Sequence, residues 1–242
     1  FLIRMKILLY THSDYSWVWK YWHQQTDKFL SRYEKICFLN SGSSFRDDYL
    51  TISYDSGKNY KDRISSCLNN LDDNEIVIFC HEDMFLYDKP NFEILNEYID
   101  LIKNDKCDTI KLIRAFENLK KSELHDNLLI NTDSQLFSIQ PTILKIKTLK
   151  YIYKSVPGKN IWDFEGNTNR KFLSDLISLC SFDSNLDKKR GKYHYDSSVY
   201  PYICTAVIKG KWNYKEYKKE LFEIFYNKKF NLISYYLSRI KS

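Results

Sequence analysis

The sequence predicts an α/β domain built on a mixed, mainly parallel sheet flanked by helices. Two observations carry this. Short apolar runs alternate with amphipathic segments from residue 5 to residue 85, the pattern of βαβ units. The run Glu75-Ile-Val-Ile-Phe-Cys80 is apolar without interruption after its first residue, as expected of a buried strand.

The elements follow in order. Residues 5–10 read as the first strand, ended by Thr11-His-Ser-Asp14. Ser13 or Asp14 then caps a helix running to about Leu30, with Val18, Trp22 and Phe29 on one face. Residues 35–40 and 50–54 are the second and third strands. Residues 59–71 form a helix that turns Ile64, Cys67, Leu68 and Leu71 to one side. Residues 75–80 are the fourth strand and lead directly into His81-Glu82-Asp83. Right-handed crossovers place such strand ends on a common edge, outside which ligands bind. Asp14 and Glu82-Asp83 fall there. The second half is more mixed. Helices are expected over 92–103, 146–154, 170–180, 214–226 and 232–240, and strands over 109–116, 135–139 and 199–209. No repeat or shift in composition marks a second domain.

Composition narrows the function classes. The chain has 242 residues, enough for one large core, and its 6 Gly and 4 Pro leave little room for a linker. The 20 Tyr and 15 Phe point to an aromatic-heavy core. Net charge is +6, and the basic runs at 187–190 and 209–219 are broken by acids or aromatics, so nucleic acid is not an expected partner. These runs form a solvated face, or a basic one that attracts phosphates or a membrane surface. The aromatic, basic segment 214–241 is either a packed amphipathic helix pair or a peripheral membrane contact. No transmembrane segment is expected, since the apolar run 5–10 is far too short. The six cysteines, Cys37, Cys67, Cys80, Cys107, Cys180 and Cys204, make no C-x-x-C pair. A reducing, cytoplasmic setting is expected.

Several motifs are missing: the phosphate loop G-x-x-x-x-G-K-[ST], the turn G-x-G-x-x-G and the elbow G-x-S-x-G. His81-Glu82 begins like H-E-x-x-H, but residue 85 is Phe. The positive signal is Glu82-Asp83 at the end of a buried strand. Two carboxylates there are costly unless paired or bound to metal. A hard ion such as Mn²⁺ or Mg²⁺ takes carboxylate and phosphate oxygens together. Adjacent residues point to opposite faces, so Asp83 is the expected ligand and Glu82 a donor contact. The alternative is a carboxylate that caps a turn. In Asn160-Ile-Trp-Asp-Phe-Glu-Gly-Asn167, desolvation among aromatics would raise the pKa of Glu165, which suits a general base. The alternative is a turn with Trp162 and Phe164 in the core. His194, within Lys192-Tyr-His-Tyr-Asp196, is either a nitrogen ligand to the same metal or structural. Thr11, Asp14 and Arg63 are candidate nucleotide contacts. Asp14 also reads as a helix cap, and Arg63 as a salt-bridge partner of Asp62 or Asp72. His12 and His81 abut the same edge.

Taken in order, several short segments resemble a known family. They are Tyr10-Thr-His-Ser-Asp14, Asn59-Tyr-Lys-Asp-Arg63, Val77-Ile-Phe-Cys-His-Glu-Asp-Met-Phe-Leu86, Leu136-Phe-Ser-Ile-Gln-Pro-Thr-Ile-Leu144, Trp162-Asp-Phe-Glu165, Val199-Tyr-Pro-Tyr202 and Val207-Ile-Lys-Gly-Lys-Trp212. Across residues 5–240 the chain resembles the small GT-A glycosyltransferase domains of surface-polysaccharide gene clusters. It is similar to the first domain of a chlorovirus multidomain glycan-building enzyme. The resemblance implies a GT-A-like domain spanning 1–242. Within it, a nucleotide-binding half would cover about 1–105, an acceptor-side half about 106–212 and C-terminal helices about 213–242. It implies a UDP-, GDP- or TDP-sugar donor, a divalent metal and a glycan acceptor. It maps the metal motif onto Glu82-Asp83, the base onto Glu165 and a metal-side histidine onto His194. Ser138 and Gln140 would line the sugar pocket. The sequence departs from the family's D-x-D, because His81 stands where the first acid is usual. Two other readings stay open: an inactive nucleotide- or glycan-binding module, and a nucleotidyltransferase.

Overall fold

The computed structural model describes residues 5–183, 189–191 and 194–226. The helix expected over 232–240 lies outside them. The first strand β1 (Met5–Tyr10) lies third from one edge of an eight-stranded sheet. Beside it run β2 (Glu34–Asn40) and, at the edge, β3 (Leu50–Tyr54), both parallel. On its other side lies β4 (Ile76–His81), also parallel and buried along its whole length. Helices α1 (Ser16–Leu30), α2 (Tyr60–Leu68) and α3 (Phe92–Lys103) follow these strands and cover the sheet. Each buries an apolar stripe: Val18, Trp22 and Leu30 on α1, Ile64, Cys67 and Leu68 on α2, and Leu95, Tyr98, Ile99 and Ile102 on α3. The α/β expectation therefore holds, and the first half follows the expected order.

The second half completes the sheet with β5 (Thr109–Lys111), β6 (Leu128–Ile130), β7 (Thr142–Lys145) and β8 (Ser178–Ser181). β7 is inserted antiparallel between β4 and β5, β8 pairs parallel with β5, and β6 closes the edge antiparallel to β8. Helices α4 (Ile146–Ser155) and α5 (Ile161–Gly166) pack outside. Two short hairpins follow, β9 (Lys189–Arg190) with β10 (His194–Tyr195), and β11 (Val207–Ile208) with β12 (Lys211–Trp212). The last described helix is α6 (Tyr214–Tyr226).

Several expectations for this half are corrected. Residues 135–139 are not a strand. They form an irregular segment held by Leu136 N–H to the Thr168 carbonyl (2.7 Å) and Ile139 N–H to Glu165 Oε1 (2.5 Å). Residues 170–180 are not a helix. Leu173, Leu176 and Leu179 have helical spacing. However, the Arg170 guanidinium ties the Ser174 and Leu176 carbonyls into turns at 2.9 Å each, and the segment ends in β8. The strand expected over 109–116 stops at Lys111, and that over 199–209 reduces to an isolated bridge at Tyr202 and the strand β11.

All six cysteines are free and buried. Among the described residues no helix is long and apolar enough to cross a membrane.

One close approach fixes α5. A Cβ added at Gly158 would lie 2.6 Å from Phe164 Cα, a backbone atom that cannot yield without moving the helix. The Gly158→Ala variant is therefore expected to lose about 1–3 kcal/mol in urea unfolding, as overpacked sites do. An unchanged midpoint would show that α5 is not fixed by this contact.

Candidate functional site

Strand register builds the site. Tyr10 and His81 are paired at the carboxyl ends of β1 and β4, so the segments that follow, from Thr11 and from Glu82, leave the sheet side by side. Because β7 runs antiparallel to β4, it is the residues before it that reach this same edge. Ser138, Ile139 and Gln140 thus arrive there without a strand of their own. Together these segments border a cavity of about 1100 Å³, into which α5 contributes Ile161, Trp162 and Glu165.

The expected residues separate into groups. Asp14, Arg63, Glu82, Asp83, Ser138, Gln140, Glu165 and His194 all line the cavity. Thr11 does not. It is fully buried, its hydroxyl accepts from Trp19 Nε1 (2.9 Å), and its side chain opposes the rise in the Glu82 pKa. Asp14 is not the cap of α1: a 3-10 turn, Ser13–Tyr15, precedes that helix, and His12 Nδ1 caps the turn by accepting from Asp14 N–H at 3.2 Å. The Asp14 carboxylate stays 80% exposed at the rim. Arg63 does not pair with Asp62 or Asp72; it donates to the Lys58 carbonyl (2.7 Å) and the Ser56 carbonyl (2.5 Å).

Glu82 is buried and Asp83 half-buried. Among the described residues no cationic side chain forms an ion pair with either. Burial pushes both carboxyls well above the ordinary carboxylate range, and the neighbouring charge of Asp83 raises Glu82 further. The backbone N–H of Val207 opposes this at Asp83. Such a pair is chemically suited to a hard cation. Among the described residues no three His, Cys, Asp or Glu side chains converge on one point, so oxygens from a substrate would have to complete the coordination. His194 is not gathered into such a set with Asp83. Its buried Nδ1 has no hydrogen-bond partner, and the charges that act on it are those of Lys111 and Glu216.

His81 occupies the place where a first acid was expected. It is buried, its Nε2 lies 3.1 Å from the Tyr60 hydroxyl, and that hydroxyl lies 2.9 Å from the Tyr153 hydroxyl. Desolvation lowers its pKa to about 3, so it is neutral at pH 7. Opposite, burial raises the pKa of Glu165, while the N–H of Ile139 and the charge of Lys111 oppose the rise. Gln140 is fixed by the Tyr202 hydroxyl (2.9 Å), whereas Ser138 Oγ is buried without a partner.

Three features escaped the sequence reading. Lys111 is buried at the end of β5 with its pKa lowered by desolvation, near enough to Glu165 for their charges to interact. Its mark in the sequence is a lysine inside the apolar run Thr109-Ile-Lys-Leu-Ile113. Lys209 and Gly210, both at positive φ (50° and 73°), form the tip of the β11–β12 hairpin and border the cavity. Trp162, which the alternative turn reading placed in the core with Phe164, is 79% exposed on the cavity wall, while Phe164 is buried.

Neither a family model nor a curated protein matches the chain in sequence. Among solved structures it is similar to a cytidylyltransferase from Leptospira borgpetersenii serovar Hardjo-bovis (10% identity, 93% of this chain and 95% of that one, TM-score 0.47). It is similar also to the bifunctional IspDF from Campylobacter jejuni (12% identity, 74% of this chain, TM-score 0.41), of which it spans 49%. A 4-diphosphocytidyl-2C-methyl-D-erythritol synthase resembles it at 7% identity, over 64% of this chain and 81% of the synthase, with a TM-score of 0.41. At this level of likeness neither substrate nor chemistry transfers from these proteins to this chain.

Burial of neutral His81 has a pH signature. Its folded pKa of about 3 lies below the ordinary 6.5, so the unfolded chain binds the extra proton between these values. Its contribution to stability is complete above about pH 6.5 and is lost as pH falls toward 3. In urea melts from pH 7 to 4, His81→Gln is expected to fall less steeply than the parent. Parallel curves would mean that His81 does not titrate on unfolding.

Proposed function

We propose that the chain is a transferase acting on a nucleotide-activated sugar, and that it moves the sugar to a hydroxyl of a glycan acceptor. One observation carries this reading: an unpaired carboxylate pair, Glu82-Asp83, shares a cavity with a second desolvated carboxyl, Glu165. The two sites suit different tasks. The pair repels a diphosphate unless a cation lies between them. Asp83, supported by Glu82, would hold Mn²⁺ or Mg²⁺, which when bound neutralises the leaving diphosphate. Arg63 and Lys209 supply further positive charge on the cavity wall, and Asp14 and Tyr10 border the space for the nucleoside. Glu165, with its pKa raised by burial, takes the proton of the attacking hydroxyl. A base on the acceptor side, with attack opposite the leaving group, gives inversion at the anomeric carbon.

Nucleotidyl transfer is the second reading. The basic side chains of Arg63 and Lys209 on the cavity wall favour it, because they suit an anionic co-substrate. Glu165 favours glycosyl transfer, since a phosphate nucleophile needs no base and would be repelled by that carboxylate. The products separate the two.

UDP-, GDP- and TDP-sugars should be screened for thermal stabilisation with and without Mn²⁺, and the products identified. The expected result is metal-dependent stabilisation of about 2.7 kcal/mol at a hundredfold excess over Kd, with release of nucleoside diphosphate. Asp83→Asn is expected to lose the metal-dependent part. Glu165→Gln is expected to keep donor binding and to slow transfer by about 10²–10⁴-fold. Release of pyrophosphate would favour the second reading. Binding without turnover over a broad set of acceptors would mark an inactive module. An Asp83→Asn variant that behaves like the parent would remove the assigned role of that residue.

A further inference from the structure

Among the described residues Trp162 is the most exposed of the large hydrophobic side chains, at 79%. The other indoles are packed. Trp22 is buried, Trp17 meets Trp212 edge-on at 4.8 Å, and Trp19 meets Phe45 at 4.8 Å. Among the described residues, the Trp162 ring meets no other ring and its N–H donates to no protein atom. Burying an indole is one of the larger apolar gains open to a fold, and this one is left unused.

The exposure does not come from a loose helix. Asn160 caps α5 by accepting from Asp163 N–H (3.0 Å), and Asp163 in turn accepts from Lys159 N–H (2.8 Å). At the other end Thr168 Oγ1 donates to the Glu165 carbonyl (2.8 Å) and to the Phe137 carbonyl (2.5 Å). Between them Phe164 stacks on Tyr153 with ring centroids 4.5 Å apart. The anchored helix therefore presents its other face to the cavity, and that face carries Trp162 and Glu165. Residues three apart on a helix lie one above the other, with Cβ atoms about 5–6 Å apart. That separation matches the breadth of one sugar ring.

We propose that Trp162 is the acceptor platform. The apolar face of a pyranose at the end of the acceptor glycan stacks on the indole, and a hydroxyl of that same ring reaches Glu165. The inference deepens the glycosyltransferase reading and rests on it. It assigns Trp162 a positioning role, with Glu165 remaining the group that takes the proton. It also calls for an acceptor ring with a continuous C–H face, which a bare phosphate lacks.

The experiment compares the parent with Trp162→Ala and Trp162→Phe, using methyl pyranosides and disaccharides of glucose, galactose, mannose and rhamnose as probes. Tryptophan fluorescence and saturation-transfer NMR report binding, and thermal shift with UDP-, GDP- and TDP-sugars plus Mn²⁺ reports the donor site separately. At least one pyranoside is expected to perturb the parent's fluorescence. Trp162→Ala is expected to weaken that saccharide tenfold or more and to remove the fluorescence change, whereas Trp162→Phe recovers most of the affinity. Donor affinity stays at the parent value in both variants. In the transfer assay the acceptor KM rises in Trp162→Ala by more than kcat falls. Equal saccharide binding by parent and Trp162→Ala overturns the proposal, as does a panel in which no pyranoside gives a Trp162-dependent signal. Failure of every nucleotide sugar to bind the parent would instead overturn the glycosyltransferase reading.

Discussion

The parallel pairing of β1 with β4 is the constraint on which the rest of the structure depends. Its register, from Met5 with Ile76 to Tyr10 with His81, sets where both strands end. A shift by one residue would turn every side chain to the opposite face. It would also separate the segment that begins at Thr11 from the one that begins at Glu82. At the first of these ends the Thr11 hydroxyl accepts from Trp19 Nε1, and its side chain acts on the Glu82 carboxyl at the second. The aromatic contacts of Tyr10 with Tyr54, Tyr60 and His81, all at centroid distances of 5.4 Å or less, seal the apolar floor beneath the carboxylates. Desolvation of Glu82 and Asp83 thus follows from the same packing that fixes the register.

The parts legible in the sequence are those where local pattern and tertiary environment agree. β4 is buried on both faces and reads as one apolar run, and α3 has both its Asn91 cap and its apolar stripe in the sequence. The second half is less legible because tertiary contacts there replace periodicity. Leu173, Leu176 and Leu179 mimic a helix, but Arg170 bends the chain and the sheet takes up the last of them. Ser138 and Gln140 border the cavity without the strand expected over 135–139. An antiparallel strand that follows them, not one that contains them, delivers them to the edge. The alternative that put both Trp162 and Phe164 in the core holds for Phe164 alone, and only the orientation of α5 separates the two.

The two walls of the cavity differ in electrostatics. On the β1–β4 side, two desolvated carboxyls lie beside a histidine held neutral by burial, so that wall is poor in positive charge at its floor. Across the cavity, the charge of Lys111 acts on Glu165 against the rise that burial causes. Among the described residues no cationic side chain pairs with the first carboxyl site, whereas a lysine charge acts on the second. This asymmetry gives the cavity a direction that the shape alone would not.

The reversed strand β7 has a consequence for how the molecule can change. The β1–β4 side takes its cavity residues from the chain up to residue 84, while β7 supports β4 from its other flank. The opposite wall is supplied by the segment between β5 and β7 and by α5, which hang from the sheet by strand ends and a few backbone hydrogen bonds. Changes in the stretch 135–140, which carries Gln135, Ser138, Ile139 and Gln140, would therefore reach that wall directly. The direction of a four-residue strand thus decides which segment supplies the second wall.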